Sequence, residues 1–123
     1  MLIGGEWRGA ASHEELEVIN PATEEAVGSV PAASSADVEL AVETAKRAFP
    51  EWAATDTEKR AQILARAAAL IEENAKSLAA VLTAEQGKPI AEALGEVTHL
   101  AHGVRYYAEA ATKVRGSYQD LPS

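Results

Sequence analysis

Hydrophobic and polar positions follow a short period at the start of the chain and a helical one after it. Leu2-Ile3 and Glu6-Trp7-Arg8 flank Gly4-Gly5, a dipeptide that accepts the positive φ angles of a two-residue hairpin turn. Leu16-Glu17-Val18-Ile19 and Ala26-Val27-Gly28-Ser29-Val30 flank a turn at 20–25 with Pro21 near its start. The pattern predicts a small antiparallel β-element over about residues 1–31. Two or three short strands are marginal alone, so helices or another sheet must cover one face.

From Ser34 the period changes. Val38, Ala41, Val42, Ala45, Ala48 and Phe49 follow i, i+3, i+4, i+7 spacing, with Ser34 as N-cap and Asp37 in the first turn. Lys46-Arg47 are expected in the last turn and Pro50 as the stop, leaving Trp52 to fill the corner before the next helix. Thr55-Asp56-Thr57-Glu58 reads as a capping box, opening a helical pattern that runs to Gln86. Leu64, Ala68, Ile71, Ala75, Leu78 and Leu82 form one stripe there, and Ile63, Leu70 and Val81 a second, which implies burial on more than one side. So long a run predicts a break near Glu73-Asn74, with Asn74 capping the second half.

Gly87 suits the left-handed residue past a helix end, and Pro89 the first turn of the next helix. That last helix is expected from about Pro89 to Lys113. Its seam is Ile90, Leu94, Val97, Ala101, Val104, Ala108 and Ala111. Gly116 and Pro122 end the pattern, and Tyr118 to Ser123 read as the lead into another strand. The expectation is a helical layer over about 34–115 on a β-arm, with the chain's end cut rather than finished.

Composition narrows the chemistry. Hydrophobic residues are 47% of the 123, but alanine dominates them and aromatics are 5%, so the core must be built from Leu, Ile and Val stripes with Ala between. A net charge of −8 with scattered Lys and Arg excludes a nucleic-acid surface and a polybasic membrane patch. No apolar run approaches the roughly 20 residues of a membrane span, and the N-terminus has no signal-peptide pattern, so a cytoplasmic protein is expected. The absence of cysteine removes disulfides, thiolate metal sites and thiol nucleophiles. Neither a GxGxxG fingerprint nor a Walker pattern occurs, so no residue is singled out as cofactor-binding, and none as catalytic.

Three groups remain as chemical candidates. Glu96 and His99, with His102 a turn on, could offer a carboxylate and imidazoles on one helix face, as metal-binding helix bundles require. A second Glu-x-x-His is missing, so polar residues on the wetter flank of the seam are the simpler reading. Arg105-Tyr106-Tyr107 could form a cation–aromatic patch, but packing anchors at a helix end account for it as well. Lys88 reads as an exposed helix-start residue rather than a catalytic amine.

Several strings in order carry a resemblance. They are Gly5-Glu6-Trp7, Asn20-Pro21-Ala22-Thr23, Val30-Pro31-Ala32-Ala33-Ser34, Ala48-Phe49-Pro50-Glu51-Trp52, Leu70-Ile71-Glu72-Glu73-Asn74, Glu85-Gln86-Gly87-Lys88-Pro89 and Arg105-Tyr106-Tyr107. From about Leu2 to Pro122 the chain resembles the N-terminal portion of the aldehyde dehydrogenase superfamily. Two departures stand out: Gly4-Gly5 replaces the usual hairpin Asn-Gly, and Glu24 the usual Gly after Asn-Pro-Ala-Thr. The second departure predicts either a strained φ at Glu24 or a turn of another type.

The resemblance implies an α/β parent fold, of which this segment is the mostly helical start of the cofactor-binding domain. It implies NAD or NADP in the parent enzyme and none on this segment alone. Such enzymes attack an aldehyde with a cysteine thiolate, pass hydride to the nicotinamide and hydrolyse the thioester with glutamate-activated water. It also implies a structural monovalent cation held by the carbonyls of Val18 and Ile19 and the carboxylate of Glu85, and a substrate entrance near His99 and Gly103. The expectation is therefore a segment inactive by itself, whose partners are the remainder of an aldehyde dehydrogenase chain and further copies in a homo-oligomer. The alternatives are a freestanding helical interaction module, or a helix-bundle metal protein using Glu96 and His99.

Overall fold

The computed structural model describes residues 1–116; the strand lead expected at residues 118–123 lies outside them. Four strands precede four helices: β1 (Leu2–Ile3), β2 (Glu6–Trp7), β3 (Glu15–Ile19), β4 (Ala26–Pro31), α1 (Ser35–Ala54), α2 (Thr57–Glu73), α3 (Ala75–Gln86) and α4 (Ile90–Ala111). The strands form two separate antiparallel pairs, not one element. In the first, Leu2 faces Trp7 and Ile3 faces Glu6, and the turn works because Gly4 and Gly5 take φ of 64° and 84°. In the second, Val18 pairs with Gly28 and Ile19 with Ala26, so Val27 is an extra residue and the ladder bulges there.

The turn at 20–25 resolves the question of Glu24. Its φ is 62°, left-handed, and its N–H donates to the Asn20 carbonyl at 2.8 Å. The Asn20 side chain accepts from the Ala22 N–H at 2.9 Å, closing the turn locally. A glutamate therefore occupies a conformation that suits glycine.

α1 starts as expected and ends differently. Ser34 Oγ accepts from the Asp37 N–H, and the Asp37 carboxylate accepts from the Ser34 N–H, a reciprocal capping box. Pro50 does not stop the helix. It removes one donor, but α1 continues to Ala54, which leaves Lys46 and Arg47 in mid-helix and Trp52 within the helix instead of in a corner. The turn that follows is closed by the Thr55 N–H donating to Trp52 O at 3.2 Å and the Thr55 hydroxyl to Glu51 O at 2.8 Å. Because Thr55 is spent in this way, the cap of α2 moves one residue on. The Asp56 carboxylate accepts from the Glu58 and Lys59 N–H groups at 2.8 and 3.3 Å.

The break at Asn74 is present, by another device than capping. The Asn74 amide donates backwards to Leu70 O at 2.8 Å, and its side chain makes no bond into α3. α4 then lies along both α2 and α3. Its buried positions are Ala93, Val97, Ala101 and Ala108, with Ala93, Ala101 and Ala68 of α2 at 0% exposure. The core is thus an alanine seam: Ala79, Ala93 and Val97, with Ile71, Ala75 and Leu82 against them. Small side chains let the helices approach, at the cost of little apolar area per residue.

The expected seam was right at Val97, Ala101 and Ala108 and wrong at Ile90 and Leu94, which are exposed, while Ala93 takes the inward place. Pro89 sits just before α4 rather than in its first turn, its carbonyl accepting from the Glu92 and Ala93 N–H groups. The second stripe, Ile63, Leu70 and Val81, is not buried among the described residues, and neither are Val38, Val42 and Phe49 of α1. No large side chain among the described residues is fully buried. No helix among them is long and apolar enough to cross a membrane.

Candidate functional site

The joint between α3 and α4 organises what chemistry the chain can offer. α3 ends at Gln86, and Gly87 at φ 70° donates its N–H to Thr83 O at 2.8 Å. The turn between β3 and β4 comes down on this glycine. A Cβ placed there would sit 2.8 Å from Pro21 Cγ and 3.2 Å from the Ala22 nitrogen. Gly87 therefore answers two demands at once, a left-handed backbone and close approach of another segment. The sequence shows the first and conceals the second.

Beside the joint, the hairpin and α3 enclose a cleft of about 250 Å³ lined by Val18, Val27, Gly28, Ser29, Val30, Val81, Ala84 and Glu85. Two of the three residues expected to hold a cation, Val18 and Glu85, line this cleft, and Ile19 follows Val18 on β3 where the bulge interrupts the ladder. A bulge leaves backbone groups out of strand pairing, and carbonyl and carboxylate oxygens are donors of the kind that suits a hard cation. The rest of the lining is apolar apart from Ser29, whose hydroxyl already donates to Glu15 at 2.6 Å.

Lys88, next in the joint, is not the exposed residue expected. Its side chain is 21% exposed, and its ammonium pairs with Glu96 Oε1 at 2.5 Å, tying the joint to the second turn of α4. That pairing also bears on the metal alternative. Glu96 is engaged by Lys88, His99 Nδ1 lies 2.9 Å from the Gly95 carbonyl, and no three potential ligands converge among the described residues. His99 and Gly103 stand one turn apart on α4, His99 exposed and Gly103 half-buried, away from the alanine seam.

Arg105 and the tyrosines part company. Arg105 reaches across to Glu72 on α2 at 2.6 Å, a tie between helices 33 residues apart in sequence. Tyr106 and Tyr107 meet edge to face at 5.3 Å and remain exposed, so they anchor nothing among the described residues.

Sequence reasoning also missed the role of Asp37. It is 5% exposed and its two oxygens accept from Ala11 N–H at 3.2 Å and from Ser34 N–H and Oγ–H at 2.9 and 2.7 Å. These bonds, the Ser34 hydroxyl foremost, hold its carboxyl below the usual value of 3.8, with Arg8 adding a smaller attraction. The signal was present as Ser34-x-x-Asp37, a box with Asp in place of Glu. Its long-range partner Ala11 left no trace in the sequence.

The geometry has counterparts among known proteins. The model of the aldehyde dehydrogenase family matches residues 7–123. A glutarate-semialdehyde dehydrogenase of Pseudomonas putida is 40% identical over 93% of the chain, and that match covers 24% of the relative. The acylating methylmalonate-semialdehyde/malonate-semialdehyde dehydrogenase of Homo sapiens mitochondria is 43% identical over 100% of the chain and 23% of its own length. The crystal structure of a succinate-semialdehyde dehydrogenase from Burkholderia pseudomallei superimposes with a TM-score of 0.93 at 40% identity, over 98% of this chain and 25% of that one. The chain spans about a quarter of the length of these relatives.

Proposed function

The chain belongs to the aldehyde dehydrogenase family, and from that premise we propose that it forms the N-terminal part of the cofactor-binding domain of an NAD(P)-dependent enzyme that oxidises an aldehyde to a carboxylic acid. The β-arm is about residues 1–31 and the helical layer about 34–115. The observation that carries this reading is the apolar surface left open on an otherwise regular layer: Val38, Val42 and Phe49 on α1, and Ile63, Leu70 and Val81 on α2 and α3. Surfaces of that extent belong against another body. The 123 residues contain no cysteine, so the attacking thiolate of the proposed reaction is not among them and the chain alone is inactive.

Within the complete enzyme, the Val18 and Ile19 carbonyls and the Glu85 carboxylate contribute to a structural monovalent cation site, which ties β3 to α3 when filled. His99 and Gly103 border the substrate entrance. The open faces are covered by the remainder of the enzyme and by further copies in a homo-oligomer, in the cytoplasm.

A graft tests the proposal. The 123 residues replace the corresponding quarter of the Burkholderia succinate-semialdehyde dehydrogenase, and aldehyde-dependent NAD(P)H formation is followed with succinate and glutarate semialdehydes first. The expected result is an active chimera, with no activity from the chain by itself. A folded chimera inert toward every aldehyde tried, or turnover by the isolated chain, refutes the reading.

A further inference from the structure

The β3–β4 hairpin is attached to the helical layer in an unusual way. Among the described residues no hydrogen bond or ion pair joins residues 15–31 to a helix, and neither strand packs extensively on one. The hairpin's middle stands over the 250 Å³ cleft, with Val18, Val27 and Val30 on one wall and Val81 on the other. Among the described residues it is held at two places. At its root, Asp37 binds Ala11 and Ser34, the segments that lead into and out of the hairpin. At its tip, Pro21 and Ala22 rest on Gly87, at distances a Cβ would turn into overlap.

We propose that this hairpin is a strap pinned at root and tip over an open cleft, and that losing the tip's seat on Gly87 frees it as a unit while α2, α3 and α4 stay folded. Three physical facts converge on this. An isolated two-stranded hairpin is marginal in water, so its ladder survives only while anchored. The helical layer draws its stability from the alanine seam, to which the hairpin contributes no residue. Units that share few contacts open independently. The strap therefore sets the distance between β3 and Glu85 through its anchors at root and tip.

Amide hydrogen exchange on the full chain reads the two units separately. In Gly87→Ala, the ladder amides of β3 and β4 are expected to exchange at least about tenfold faster, while central amides of α2 and α4 stay within about twofold of their original rates. Pro21→Ala keeps the glycine and strips only the ring that touches it. It should give a smaller acceleration confined to the same strands, and it decides the matter if Gly87→Ala fails to fold. Equal acceleration of strands and helices in Pro21→Ala would mean one cooperative unit and overturn the proposal. So would unchanged strand exchange, since the tip would then hold nothing.

Discussion

α1 and α4 are amphipathic helices of nearly equal length, 20 and 22 residues, yet α4 buries Ala93, Val97, Ala101 and Ala108 while the only buried residue of α1 is the carboxylate Asp37. Both carry an apolar stripe at helical spacing. α4 finds α2 and α3 on either side of it; α1 finds the small first hairpin, where Gly4 comes close enough to Thr44 that a Cβ would lie 3.0 Å away. An apolar stripe says that a helix has a partner, without saying where in the sequence that partner is. For α4 it lies 4 to 33 residues upstream of the helix. For α1, on the proposed function, it lies in the remainder of the enzyme.

The largest effect that sharpens this contrast is overpacking. Ala101→Leu inserts a branched side chain at a site with 0% exposure and should cost about 3 kcal/mol, read as a lowered urea midpoint with unchanged slope. The same change at Ala48, exposed on α1, should stay within about 0.5 kcal/mol. Equal losses at both sites would mean that α1 is packed in solution, by self-association or otherwise.

Next comes the one buried group of α1. The Asp37 carboxyl is depressed in the folded chain, so its contribution is fully present above the ordinary value near 3.8 and is lost as pH falls through the lower folded value. Asp37→Asn should therefore lower the melting temperature at neutral pH, and the gap between variant and parent should narrow at the acid end. Parallel curves across the whole range would show that the charge of Asp37 does not matter, only its shape.

These two sites also show what the sequence could reveal. Wherever local chemistry suffices, the reading was sound: Gly4-Gly5 for the hairpin, Ser34 for the cap, Asn74 for the break and Gly87 for the joint. It failed where two local signals competed. Thr55 could cap α2 or finish α1, and its hydroxyl bond to Glu51 settles it for α1, which hands the cap to Asp56. Pro50 removes one helical bond, and the chain takes another turn regardless. It failed again where the partner is distant: the Ala11 and Pro21 contacts have no periodicity to announce them, and the exposed second stripe looked buried because a stripe does not name its cover. Of the site, the nearness of Val18 to Glu85 was legible only through the family resemblance.

Glu24 separates strain from packing in the same comparison. It holds a φ of 62° in a turn that contributes no residue to the alanine seam. Glu24→Gly should stabilise the chain by about 1 kcal/mol, the left-handed cost less the extra entropy glycine brings to the unfolded chain. The urea midpoint checks it. A destabilised variant would mean that the Glu24 side chain makes a contact outweighing the strain.

The smallest effect concerns the bond between the two packed helices. Arg105 and Glu72 meet at 2.6 Å, but both side chains are 42% exposed, so water screens the pair and holding two long side chains still offsets part of the attraction. A double-mutant cycle with Glu72→Gln and Arg105→Gln should return a coupling of about 0.5 kcal/mol that fades in high salt. A coupling several times larger would mean that the pair is sheltered in solution by something resting on the α2–α4 face, and the contrast between a covered α4 and a bare α1 would need redrawing. A coupling of zero would leave the alanine seam alone responsible for joining the two helices, the limit toward which its close packing already points.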